Sequence, residues 1–164
     1  DGTQMIHSLS PMYRLLILGA GDVAKFVAEM AIALEYDVTL CDPRPNYLDN
    51  WFVAGVETTA QLPDDVVRAR FSNPYSGVIA LAHDPRVDDM ALMEALKTDA
   101  FYIGAMGSVN TSAARRERLP ELGLSEQEIG RLHAPIGFQI NSKTPAEIAI
   151  AVMAEITAVR YGQN

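Results

Sequence analysis

The chain has 164 residues, 49% of them hydrophobic, with 13 Lys and Arg against 21 Asp and Glu for a formal net charge of -8 at pH 7. That length suits one domain with a well-covered core, and the acidic balance excludes a general polyphosphate-binding surface, so nucleic acid is not an expected partner. No apolar run reaches the ~18 residues of a membrane span, so a cytoplasmic protein with no membrane partner is expected; the single cysteine, Cys41, fits a reducing compartment and reads as a small buried apolar residue.

Residues 1–11 lack periodicity and begin with Asp rather than Met, and are expected to be a tag, a linker or a disordered segment; residues 12–164 are expected to form a single domain. Tyr13 to Leu18 has the apolar character of a strand, and it runs through Gly19-Ala20-Gly21-Asp22 straight into a helix. Gly19 allows a tight turn, Gly21 lets backbone N–H groups approach a pyrophosphate, and the small Ala24 lets the helix pack close on its strand. The helix N-terminus adds free donors for an anion. This helix is expected from Asp22 to about Glu35, with Val23, Phe26, Val27, Met30, Ala31 and Leu34 as its core stripe. A second strand, Val38 to Cys41, ends at Asp42, close to the ~20-residue distance at which a carboxylate meets a ribose in this motif.

Pro43-Arg44-Pro45 cannot continue a strand or a helix interior and holds Arg44 in a loop at the carboxyl edge of the sheet. Asp42 beside Arg44 reads a ribose hydroxyl or a ribose phosphate, or the two neutralise each other. Tyr47 to Thr59 is irregular, holds Trp51, and includes one short edge strand near Val56. Pro63 followed by two acids opens a helix to about Arg70. Gly77 to Ala82 is a near-continuous apolar run, as expected of a central parallel strand, and His83-Asp84-Pro85 ends it. In a doubly wound sheet this strand lies beside the first, so His83 and Asp84 face the Gly19 turn across the crevice where the strand order reverses. Asp84 is also placed to cap the helix that follows, to about Lys97.

Phe101 to Gly104 is the next strand, and Ala105-Met106-Gly107-Ser108 repeats the logic of the first turn, with Ser108 as N-cap of a helix to about Leu119. Arg115, Arg116 and Arg118 lie beyond that helix's first turn and are expected on a solvated face. Ser125-Glu126-Gln127-Glu128 matches a capping box for a short helix to about Leu132, and His133 to Gly137 follows as a loop. Thr144-Pro145-Ala146-Glu147 starts a final helix to about Tyr161, with Ile148, Ala149, Val152, Met153, Ile156 and Val159 facing the core. The element order gives an α/β chain, a Rossmann-like three-layer sandwich with a mostly parallel sheet. No Cys/His spacing resembles a metal site, and neither a G-x-S-x-G elbow nor a Walker A sequence is present, so no catalytic or metal-binding residue is assigned.

Leu18-Gly19-Ala20-Gly21, Cys41-Asp42-Pro43-Arg44-Pro45, Ala80 to Pro85, Asp99 to Ser108, and His133 to Gly137 through Thr144 to Ala149 together resemble the XdhC/CoxI family, accessory proteins of xanthine dehydrogenase and related molybdenum hydroxylases. The likeness covers about Tyr13 to Arg160 and is to the family's C-terminal Rossmann-like domain. The resemblance implies a chaperone that binds the molybdenum cofactor, as molybdopterin or its dinucleotide form, guards it during sulfuration and hands it to the apo-dehydrogenase. It implies the xanthine dehydrogenase-type apoenzyme and a cysteine desulfurase as partners. The matching positions Gly19, Gly21, Asp42, Arg44, His83, Asp84, Gly107 and Ser108 are expected to bind the cofactor, with Ala20 and Asp22 of the same turn.

Two places depart from the family. Asp22 stands where a His is usual, and its charge costs affinity for a phosphate unless it turns away as a cap. Val109-Asn110-Thr111-Ser112 replaces the Arg-Arg-Thr-His that tends to follow Gly-Ser. The same turn also admits a nicotinamide dinucleotide, which leaves two alternatives: an NAD(P)-dependent oxidoreductase with His83 as proton donor, and a dinucleotide-sensing or assembly module. A symmetric homodimer is the expected assembly.

Overall fold

Strands made of near-continuous apolar runs need cover on both faces, and this sheet is built to receive it. In the computed structural model, which describes residues 11–162, the strands run in chain order as β1 (Arg14–Leu18), β2 (Asp37–Cys41), β3 (Glu57–Thr59), β4 (Ser76–Ala80), β5 (Tyr102–Ala105) and β6 (Leu132–His133). They form one sheet in the order β3-β2-β1-β4-β5-β6, and every pairing is parallel. This is the α/β Rossmann arrangement expected from the sequence, with parallel pairing throughout. Of the segment expected to be a tag, linker or disordered, residues 1–10 lie outside the described residues.

The connections supply α1 (Asp22–Ala33), α2 (Pro63–Arg70), α3 (Pro85–Ala95), α4 (Val109–Arg118), a 3-10 turn at Leu119–Leu122, α5 (Glu126–Ile129) and α6 (Pro145–Arg160). Side chains alternate across β1, so one strand feeds two cores. Leu15 and Ile17 pack with Ala28, Val152 and Ile156 under α1 and α6, while Leu16 and Leu18 pack with Val67, Phe71 and Leu92 under α2 and α3. The switch in strand order places β1 and β4 side by side at the centre, and their carboxyl ends open the edge on which the loops collect.

The expected core stripe of α1 is rotated. Phe26 and Leu34 are exposed, and the fully buried line is Ala24, Val27, Ala28 and Ala31. Because α1 is wedged between the sheet and α6, its inner face must be narrow, and small side chains take the close contact that larger ones would block. The edge strand expected near Val56 forms one residue later as β3. His133, expected in a loop, instead closes β6, which pairs Leu132 with Ile103 and His133 with Gly104; Ala134-Pro135 beyond it is a cis peptide.

Candidate functional site

The β1–α1 turn is held by its own neighbours. Gly19 takes the left-handed region (φ 101°), and a Cβ there would stand 2.4 Å from Ala82 Cα, so glycine alone lets the turn press against the chain leaving β4. Leu81 N–H donates to Leu18 O at 2.8 Å and draws the two strand ends together. Gly19 N–H donates to Cys41 O, Ala20 N–H to Asp42 Oδ2 and Gly21 N–H to Gly19 O. The first intrahelical bond runs from Lys25 N–H to Gly21 O, which leaves the N–H groups of Asp22, Val23 and Ala24 without intrahelical partners.

Trp51 builds the wall beside these donors. Its indole N–H donates to Gly21 O at 3.1 Å, and the buried ring borders a cleft of about 180 Å³ with Ala20, Gly21, Asp22, Lys25 and Tyr47. Asp22 is exposed and does not cap: Gly21 is the N-cap of α1, and no side chain serves there. The Asp22 carboxylate therefore stands at the positive end of the helix dipole, with Lys25 on the same cleft as its counter-charge.

Asp42 is fully buried, and all its acceptor capacity is taken. Oδ1 accepts from the Arg44 N–H and Nε, and Oδ2 from the Ala20 N–H and Arg44 Nη2. Burial works to raise its pKa, but the Arg44 guanidinium and the two backbone donors outweigh it and hold the carboxyl below the usual range. Of the alternatives open from the sequence, the two charges neutralise each other. Arg44 also stacks on Tyr47, 3.7 Å from guanidinium carbon to ring centroid, and its Nη1 reaches Ala82 O at 3.4 Å. It forms a strap from the β2 loop across the β1 turn to the end of β4.

Asp84 is the N-cap of α3, accepting from Arg86 N–H at 3.0 Å, and the Arg86 guanidinium holds its carboxyl below the usual range. Arg44 and Asp84 border a second cleft, of about 340 Å³, with Pro43, Arg86 and Met90. His83 has left-handed backbone (φ 57°) and lines a third cavity, of about 170 Å³, together with Met106, Gly107, Thr111, Arg115 and Arg118. Ser108 caps α4, accepting from Thr111 N–H at 3.0 Å. All the expected positions thus lie at the carboxyl edge, but seven of them are divided among three clefts, and Gly19, Asp42 and Ser108 line none of these. His83 and Asp84 do not face Gly19 across an open crevice, because Gly19 packed on Ala82 fills it.

Sequence reasoning missed the polar cluster under the third cavity. The arginines expected on a solvated face are engaged: the Arg115 side chain is only 6% exposed, its Nε donates to Asp89 Oδ1, and Arg118 Nε and Nη2 donate to Asp89 Oδ2. Arg116 donates to the carbonyls of Ile129, Leu132 and Ala134. Asp88, fully buried, accepts from Ala82 N–H with Oδ1, while its Oδ2 lies 4.0 Å from Arg115 Nη2 with no hydrogen bond. Burial pushes the Asp88 carboxyl up to about 6, against the pull of Ala82 N–H and Arg115. A signal was present, since Asp88-Asp89 interrupts the apolar face of α3 and a buried acid requires a partner.

Cys41 is buried as expected, with its thiol pushed up to about 12 by burial and then by the Asp42 charge, and Sγ donates to Gln61 O. It is no nucleophile. Among the described residues, no three His, Cys, Asp or Glu side chains are grouped to hold a metal ion, and no helix is long and apolar enough to cross a membrane.

The chain is similar to known proteins along most of its length. The family model for the XdhC Rossmann domain matches residues 15–156. The molybdenum cofactor insertion chaperone PaoD of Escherichia coli (strain K12) is 31% identical over 94% of this chain and 42% of its own length, and a probable xanthine dehydrogenase component from Bacillus subtilis (strain 168) is 25% identical over 94% and 45%. A crystal structure of a xanthine dehydrogenase from Bacillus halodurans superposes with a TM-score of 0.78 at 27% identity, over 94% of this chain and 44% of that one. The chain spans less than half the length of each of these relatives.

Proposed function

The chain belongs to the XdhC Rossmann-domain family, and from that premise we propose that it is the cofactor-handling domain of a chaperone that inserts the molybdenum cofactor into xanthine dehydrogenase-type enzymes. The likeness across nearly the whole chain to a molybdenum cofactor insertion chaperone carries this reading. The α1 cleft offers backbone donors to a phosphate-bearing ligand, set against the non-capping Asp22 carboxylate on the same cleft. The N–H groups of Asp22, Val23 and Ala24 are free of intrahelical partners at the helix end that attracts anions, Lys25 sets a positive charge against that of Asp22, and Tyr47 and Trp51 border the cleft beside them. Bound, the cofactor supplies redox chemistry to the client; this chain's part is to hold and shield it.

Two finer points follow from the resemblance, shielding during sulfuration by a cysteine desulfurase and transfer to the apoenzyme; a cytoplasmic setting and action as a homodimer are the general defaults for such a chain. The Asp42 carboxylate argues against a nicotinamide dinucleotide, because its four acceptor positions are filled and none remains for a ribose hydroxyl.

The test is calorimetric titration of the chain with molybdenum cofactor, NAD⁺ and NADP⁺, repeated on Gly21→Val and Lys25→Glu. Nothing lies within 4 Å of a Cβ on Gly21, so valine grows into the cleft while the fold is kept. Molybdenum cofactor binding that weakens by about tenfold or more in both variants, ~1.4 kcal/mol, is the expected result. Nicotinamide binding without molybdenum cofactor binding overturns the reading.

A further inference from the structure

The third cavity lies on the opposite face of the sheet from the α1 cleft, bounded by the ends of β4 and β5 and by α4. Its floor is unusual for a chain of net charge -8. Arg115, with 6% of its side chain exposed, lines the cavity, and its Nη1 is buried with no hydrogen-bond partner. Buried charged donors are almost always satisfied. The nearby acids do not answer it: both Asp89 oxygens are engaged by Arg115 Nε and by Arg118, and Asp88 makes its one hydrogen bond to Ala82 N–H. Gly107 lets Thr111 close over the start of α4, since a Cβ there would lie 2.6 Å from Thr111 Oγ1.

We infer that this cavity is an oxyanion site for a phosphate-sized group, free or as a monoester, with Arg115 as the buried charge, Arg118 as the partly exposed one and His83 at the mouth. The volume of about 170 Å³ admits such a group and little more. A planar guanidinium with an unused N–H presents the geometry that oxyanions take up. Pro85, Met106 and Ala114 make the remaining wall apolar, which suits the organic side of a monoester. The inference does not rest on molybdenum cofactor handling, because it concerns different residues and an anion that any phosphorylated metabolite carries.

The experiment is a titration of the full chain with inorganic phosphate and, separately, phenyl phosphate, followed by the ¹⁵N–¹H signals of the Arg115 and Arg118 Nε–H groups and of the Gly107 and Thr111 amides, with chloride at matched ionic strength as the reference. Saturable shifts at these four positions are expected. Arg118→Gln should weaken binding about tenfold. Ala114→Glu, at an exposed helix position, should abolish it by placing a carboxylate on the wall while every arginine pair stays intact, so the result does not depend on a variant of the paired arginines folding. Tighter binding of phenyl phosphate identifies a monoester, and equal binding identifies the free anion. Shifts that chloride reproduces, shifts confined to Asp22 and Val23 at the α1 turn, or no saturable shift would each overturn the site. No molybdenum cofactor enters the measurement, so its outcome is separate from that of the calorimetric test above.

Discussion

Arg44 and Asp42 form a buried pair whose work is to complete a turn. Removing one partner strands the other: Arg44→Met should leave the Asp42 carboxylate buried without a counter-charge and cost about 3 kcal/mol in urea unfolding, while Asp42→Asn with Arg44→Met should recover most of it. Asp88 gives the pH dependence. Its folded pKa, about 6, lies above the unfolded value of a carboxyl, so the folded state holds this proton more tightly. The stabilisation from that proton is complete below the unfolded value and is lost as pH rises through about 6. Relative to Asp88→Asn, which keeps an acceptor for Ala82 N–H, the native chain should lose up to about 3 kcal/mol between pH 4 and pH 7.5. Urea melts of both proteins across that range check the slope; a difference independent of pH would contradict it.

At the scale of elements, what was legible from sequence is what is local. Ser125 and Thr144 form complete capping boxes at the expected places, Asp84 and Ser108 cap α3 and α4, and α2 has the bounds that its proline and acids indicated. Each of these signals acts within one turn of chain. The partners of Arg116 and Arg131 were not legible, because the acceptors are carbonyls brought together only by the fold: Ile129, Leu132 and Ala134 for the first, Leu96, Thr98 and Ala100 for the second. These guanidiniums staple the end of α3 and the β6 edge. A point-like ammonium cannot reproduce the fork that divides these carbonyls between two nitrogens, so Arg116→Lys should cost about 1–2 kcal/mol, with faster hydrogen exchange concentrated at β6 rather than at β1 or β4.

For the whole molecule, the apolar runs and the glycine turn carried the fold class, and the same runs told which strand lies at the centre. The division of the edge into three clefts was not to be read there. It depends on how closely Gly19 approaches Ala82 and on where the Arg44 strap lands, and both are facts of packing between segments about 40–60 residues apart in sequence. The buried acids of α3 were missed for a related reason, since period-based reading treats a charge as a solvent mark, whereas here α4 arrives with its arginines to cover them.

The sheet also ends in stubs. β3 has three residues and β6 two, with the carbonyl of Leu132 already claimed by Arg116. An edge this short offers an incoming strand only one or two rungs of backbone pairing. Among the described residues, the sheet thus gives little purchase to self-association by extension or to the fibrous growth that exposed edges invite. Contact between two copies would then fall to helices and loops, where it depends on side chains rather than on backbone pairing.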